Sequence, residues 1–412
     1  MSLSPQADAV AGPADTRLFL AIDNCFASKR WCEVSEWMRL VGDLGLRYVE
    51  ASADNEIDPL YSCQPFLADW IDQVRRESER TGIRVVNCYS GHGTYSTLGL
   101  AHHDPRVRQH MRRDWMEPMM RTAGALQAGL GMFAHAFSEK MLRDKGLYDS
   151  AYRILIDDLH GASCDAQLAG VSTFGIEQMY TPHQVPWTIP GTAEFLRRTN
   201  AKAAGLPVYI TLDTGHQTGQ DHFLPPTLQQ LDAFASDVLA GRPSKIYLGP
   251  GECFESLRQR VLAGASPAQL RQEVDAFLAS HPHLFSQPGD GDPYVWLEHY
   301  AACSPIIHLQ QTEGTSSAHR NFTAGTNATG IIFAPKVLRA IHANLNRPTP
   351  GGFPPPVREI YLTLEPFLGT ADHPRVALEQ IAESVRYWRQ YVPRDGMTAE
   401  EVISGLDMGP GK

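Results

Sequence analysis

Eight short, nearly continuous apolar runs, each followed by a helical pattern, constrain the fold of this chain more than any other feature. The runs fall at 18–22 (LFLAI), 46–51 (LRYVEA), 83–89 (IRVVNCY), 131–136 (GMFAHA), 171–178 (VSTFGIEQ), 207–213 (PVYITLD), 305–310 (PIIHLQ) and 358–365 (REIYLTLE). Helical patterns occupy 33–44, 65–81, 105–128, 149–169, 191–204, 227–240 with 254–279, 335–345 and 374–391. Strands that are apolar along their whole length belong to a parallel sheet covered on both faces. The stretch 65–81 carries Phe66, Trp70, Ile71 and Val74 at the 3–4 spacing of an amphipathic surface helix. Eight strand–helix units in 412 residues predict an α/β fold, the (β/α)8 TIM barrel. A doubly wound open sheet is the alternative, but no Gly-rich dinucleotide fingerprint follows the first strand.

Two regions break the rhythm. Residues 214–304 are too long for one crossover, which predicts a helical insertion at 217–300 between strands six and seven. The stretch "NRPTPGGFPPP" at 346–356 is a Pro/Gly loop. The barrel is expected over 17–392, with a disordered tail at 1–16 and a C-terminal extension at 393–412. "MSLSPQADAVAGPADT" has neither the basic nor the apolar region of a secretory signal.

Charge and cysteine usage narrow the partners. A net charge of −10 repels phosphate backbones and argues against nucleic acid. No apolar run reaches the roughly 20 residues that span a bilayer, so no membrane segment is expected. Seven cysteines, at 25, 32, 63, 88, 164, 253 and 303, form no C-x-x-C pair. That pattern suits reduced thiols in a cytoplasm better than disulfides or structural zinc.

A barrel carries its chemistry at the C-terminal strand ends. Strands five to eight end in Glu177, Asp213, His308 and Glu365. One strand-end carboxylate is usually a cap or a solvated loop residue, and one histidine on an apolar strand is usually a core group. Four consecutive strands with metal-compatible ends are a different matter. Three carboxylates and an imidazole suit a single divalent ion, Mn2+ first, with Mg2+ or Co2+ as alternatives, rather than thiolate zinc. Earlier strand ends offer Asn24, Phe26, Glu50, Asn87, His92 and His135 as pocket walls. After strand seven, His319 and Arg320 follow Thr315, Ser316 and Ser317, a loop with groups suited to phosphate.

"IEQMYTP", "LDTGH", "IIHLQQTEG" and "YLTLEP" resemble the sugar (phosphate) isomerase/epimerase superfamily, the xylose-isomerase-like barrels that include ketose 3-epimerases. The resemblance covers about 17–392 and is strongest after residue 171. It implies that Glu177, Asp213, His308 and Glu365 hold one divalent metal and that His216 faces the substrate. Independently of the resemblance, Glu177 and Glu365, three strands apart on the ring, would flank a bound ketose from opposite sides as acid and base. The pattern "HLQQTEG…HRNFT…N…GII" looks like the subgroup acting on tetrulose phosphates in erythritol-type catabolism.

The expected function is a metal-dependent epimerase or isomerase of a ketose or ketose phosphate, tetrulose phosphate foremost. Taking the proton beside a ketone is slow because the enediolate is a strong base, and a metal chelated by the substrate stabilises that charge. Substrate binding is expected from His216, His319, Arg320, Asn24 and His135. The long 214–304 segment departs from compact 3-epimerases and is a candidate interface between copies in a homo-oligomer, or a lid. Three alternatives share the barrel: a keto-sugar or keto-cyclitol dehydratase, an AP-endonuclease-type metal nuclease, and a barrel that only binds sugar.

Overall fold

Strand β1 (Arg17–Asp23) has a parallel neighbour on each side, β2 (Tyr48–Ser52) and β8 (Glu359–Leu364), and this pairing closes the sheet into a barrel. Between them run β3 (Arg84–Tyr89), β4 (Gly129–Met132), β5 (Phe174–Glu177), β6 (Val208–Asp213) and β7 (Ile306–Leu309), each parallel to the next. The computed structural model describes residues 15–407 except 92–93, 95–98, 135 and 203. The expected tail therefore lies, up to residue 14, outside the described residues. A (β/α)8 barrel with helices inserted between β6 and β7 is the fold. No helix among the described residues is long and apolar enough to cross a membrane.

Period sets which face each helix buries. Helix Gln64–Thr81 buries Leu67, Trp70 and Val74. Phe66, expected on that face, is instead 37% exposed. Positions 67, 70 and 74 form one stripe at i, i+3 and i+7, and Phe66 sits one residue, roughly 100°, to its side. The helix ends at Gly82, whose φ of 73° lets the chain turn left-handed there. The stretch expected as one helix at 254–279 is two helices, Gly251–Leu262 and Pro267–Ser280. Ser266 and Gln269 form a capping box and Pro267 occupies the first turn, so "SPAQ" starts a new helix.

The insertion has its own small core. Leu231, Phe234, Leu257, Val261, Leu270 and Val274 pack together from helices Leu228–Leu239, Gly251–Leu262 and Pro267–Ser280. The next helix, Pro293–Tyr300, instead places Trp296, Leu297 and Tyr300 in the main core, so it covers the barrel itself. At the chain's end a short strand β9 (Met397–Thr398) pairs antiparallel with the start of β1, and helix Ala399–Asp407 buries Val402 and Ile403. The β9 pairing covers the N-terminal end of β1. The opposite rim is left for chemistry.

Candidate metal centre and pocket

Four strands deliver the acidic centre. Glu177 closes β5, Asp213 closes β6, and His308 on β7 is the register partner of Asp213. Glu365 lies one residue beyond β8, and its N–H still donates to Leu309 O at 3.2 Å. None of these residues is more than 6% exposed. His308 Nδ1 is 3.1 Å from Glu177 Oε1 and 3.3 Å from Glu365 Oε2. Ligand atoms of Glu177, Asp213 and His308 all lie within 4.8 Å of one another, as do those of Asp213, His216 and His319.

The donor set fits a divalent ion on an observation independent of any motif. Among the described residues the buried Asp213 Oδ2 has no hydrogen-bond partner, and Glu365 Oε2 is approached only by two imidazole nitrogens, His319 Nδ1 at 3.2 Å and His308 Nδ1 at 3.3 Å. Buried acceptors without a donor are costly, and a cation satisfies several at once. Oxygen donors with imidazole match the Mn2+, Mg2+ and Co2+ class.

Neighbours that sequence reading did not single out as supports hold these groups in place. Tyr89 donates its hydroxyl to Glu177 Oε2, and its ring meets the His308 ring edge-on at 4.9 Å. Gln310 Nε2 donates to Asp213 Oδ1 at 2.7 Å, while Gln310 Oε1 accepts from the Ala318 and His319 N–H groups. His308 and Gln310 are two apart on an extended chain and so share a face; that spacing was the available signal in "HLQQ". His319 adopts a φ of 44°, unusual for a residue with a side chain, and the Gln310 bond to its N–H helps hold it there.

The fields are strong because the cluster is buried. Burial pushes the Glu365 carboxyl well above its ordinary range; His308 opposes this, and Asp213, Glu177 and Glu50 add to it. Asp23 is raised likewise by burial, then by Glu50 and Glu365. Burial works against ionisation of Asp213, yet the His216, His319 and His308 imidazoles and the Gly215 N–H outweigh it, so that carboxyl is lowered. Burial lowers His319. For His308 burial is outweighed by Glu365, Glu50 and Glu177, and its value rises.

Above the cluster opens a cavity of about 260 Å³. Glu177, Glu365, His216 and His319 line it with Ser52, Asp54, Ser90, Gly91 and Ser317, and with the rings of Phe133, Tyr180 and Phe367. His216 Nδ1 lies 2.8 Å from Gln178 O and so donates to it, which leaves Nε2 as acceptor, 3.8 Å from Asp213 Oδ2. His319 stacks on Phe367 at 4.2 Å. Two other expected pocket groups are placed elsewhere. Arg320 is 44% exposed, pairs with Glu313 and does not line the cavity, because the turn that brings His319 inward sends the next side chain outward. Asn24 is fully buried, and its Oδ1 accepts from Ser52 N at 2.8 Å, tying the end of β1 to the end of β2 rather than facing the cavity. His135 and His92 lie outside the described residues.

Residues 38–250 match the family of xylose isomerase-like TIM barrels. D-erythrulose 1-phosphate 3-epimerase of Brucella abortus is 33% identical over 144 residues, which are 34% of this chain and 41% of that protein. The match thus spans under half of that curated relative's length. Among solved structures, one from Rhodospirillum rubrum, provisionally named a xylose isomerase, superposes with a TM-score of 0.65 at 15% identity, covering 90% of this chain and 98% of the other. An L-ribulose 3-epimerase structure gives 0.50 at 12% identity, covering 96% and 99%. At these identities the two structures show a shared fold.

Proposed function

The chain belongs to the xylose isomerase-like TIM barrel family, and from that premise we propose that it is a metal-dependent epimerase or isomerase of a ketose or ketose phosphate. One observation carries the reading. Two buried carboxylates, Glu177 and Glu365, reach the same cavity from β5 and β8, beside the buried Asp213 Oδ2, which has no hydrogen-bond partner among the described residues.

Glu177, Asp213, His308 and Glu365 would hold the ion, Mn2+ in this proposal, and its charge would stabilise negative charge developing on the substrate oxygens. The remaining work falls to the chain. One of the two glutamates takes the proton from the carbon beside the ketone, and the other returns a proton. Return to the opposite face inverts that carbon, which is 3-epimerisation; transfer between C1 and C2 on one face is aldose–ketose isomerisation. Glutamates arriving from separated strands favour the first. His216 Nε2 and His319 stand where they can hold substrate oxygens, and Phe133, Tyr180 and Phe367 give the cavity apolar walls.

The substrate we favour is a tetrulose phosphate. Two points support it: the name of the Brucella relative, and a cavity at the small end of ligand clefts. Among the described residues the lining contains no Lys or Arg, so a phosphate there would meet hydroxyl and imidazole groups. The same proposal includes a reducing cytoplasm, in keeping with seven free cysteines. It also includes association of copies through the inserted helices, whose Leu228, Leu239 and Leu262 are more than half exposed.

The test is solvent exchange. Protein stripped with chelator and reloaded with Mn2+ should wash deuterium into C3 of a tetrulose or tetrulose phosphate, read by NMR, and stripped protein should not. A panel of free and phosphorylated tetruloses, pentuloses and hexuloses identifies the substrate by its exchange rate. Absence of exchange across the panel with Mn2+-loaded protein would overturn the reading.

A further inference from the structure

An imidazole has two nitrogens, and a neutral ring can offer a lone pair from only one of them. In this barrel a third carboxylate decides which. Glu50 on β2 is fully buried, and its Oε1 lies 2.6 Å from His308 Nε2. Its other oxygen, Oε2, accepts from Asn87 Nδ2 on β3 at 2.5 Å. Both oxygens are therefore engaged inside the barrel, away from the cavity, which Glu50 does not line. The opposite nitrogen, His308 Nδ1, faces Glu177 Oε1 and Glu365 Oε2.

We propose that Glu50 is the positioning residue of the centre: with Asn87 it holds His308 as the Nε2–H form, so that Nδ1 points its lone pair at the site between Glu177 and Glu365. The inference rests on the metal reading above. Histidines that bind metals commonly donate their other N–H to a carboxylate, which fixes the tautomer and strengthens the ligand.

A second observation shows that the barrel makes room for this arrangement. The strand next to β3 carries glycine where its side chains would meet the supports. A Cβ at Gly129 would lie 2.5 Å from Asn87 Oδ1, and one at Gly131 would lie 2.5 Å from the Tyr89 ring. Asn87 buttresses Glu50 and Tyr89 buttresses Glu177, so two bare positions on β4 accommodate the supports of two different site residues. Glu50 and Asn87 are register partners on β2 and β3, which fixes their approach without any loop.

The experiment compares wild-type, Glu50→Gln and Asn87→Ala proteins, each stripped and titrated with Mn2+ by calorimetry. The visible spectrum of bound Co2+ and the far-UV circular dichroism are recorded in parallel. Gln keeps the size of Glu50 but cannot accept with both oxygens from Asn87 and His308. The expected result is a folded variant that binds Mn2+ about 10- to 100-fold more weakly with an altered Co2+ spectrum. Asn87→Ala, which leaves Glu50 in place, should weaken binding in the same direction and less. It decides the matter if Glu50→Gln does not fold. Folded variants with wild-type affinity and an unchanged Co2+ spectrum would overturn the role of Glu50. A wild-type protein that binds no Mn2+ would instead overturn the metal reading, and the positioning role with it.

Discussion

Gly215 lies against the side chain of Gln310, and the bare backbone there is what lets Gln310 reach Asp213. A Cβ at position 215 would stand 2.3 Å from Gln310 Cδ, and Gln310 Nε2 donates to Asp213 Oδ1 at 2.7 Å. Gly215 itself has a φ of −111°, so alanine meets no backbone strain and its effect is purely steric. Gly215→Ala should cost about 1–3 kcal/mol in urea unfolding. It should also weaken Mn2+ binding by displacing Gln310. Unchanged unfolding and unchanged calorimetry would show that Gln310 moves aside freely.

The paired glutamates predict an asymmetry. If Glu177 and Glu365 serve opposite faces of the substrate, Glu177→Gln and Glu365→Gln should each slow epimerisation at saturating Mn2+ by about 10²- to 10⁴-fold. Each variant should still exchange the C3 hydrogen of one epimer only, and the two should differ in which. Deuterium wash-in from each pure epimer reads this directly. Variants that retain exchange from the same epimer would mean that the two carboxyls act on one face.

Arg320 provides a negative control for phosphate recognition. Its pairing with Glu313 is exposed on both sides, and such pairs contribute about 0–1 kcal/mol. Arg320→Ala should leave KM for a phosphorylated substrate unchanged within about twofold, since the group does not line the cavity. A tenfold rise in KM, measured by steady-state kinetics, would place Arg320 at the phosphate after all.

Away from the site, His283 predicts a pH effect on stability. Its ring stacks on Tyr148 at 3.8 Å, Nε2 donates to Leu142 O at 2.9 Å, and burial lowers its pKa to about 4. An unfolded histidine titrates near 6.5. Between these values the unfolded chain takes up a proton that the folded chain refuses. The contribution of His283 is therefore full above about pH 6.5 and is lost as pH falls toward 4. Comparing wild type with His283→Gln by urea unfolding at pH 7.5 and 4.5, the advantage of wild type should shrink by about 2–3 kcal/mol. An advantage independent of pH would mean that the ring charges freely in the folded state.

Much of this site was legible because barrels repeat one geometry. Glu177, Asp213, His308 and Glu365 stand at strand ends, and parallel strands in register bring their ends to a single rim. Asp213 and His216 were readable together as D-x-x-H, and the structure lines the cavity with His216. Adjacency in the chain presents His319 and Arg320 as one phosphate-facing pair. The positive φ at His319 separates them, and no run of residues announces a positive φ at histidine.

The sequence by itself determined the alternation of strands and helices, the extra helices before β7 and the residue types at the rim. These follow from local periodicity, which is written along the chain. Only the tertiary structure decided that Glu50 meets His308 across 258 residues, that Tyr89 meets Glu177 across 88, and that Gly129 and Gly131 make room for the supports. Such contacts depend on barrel closure, which sets strands β2, β3, β5 and β7 around one interior. A side chain's partners there are chosen by strand position and by the space its neighbours leave empty, and neither is a property of a segment taken alone.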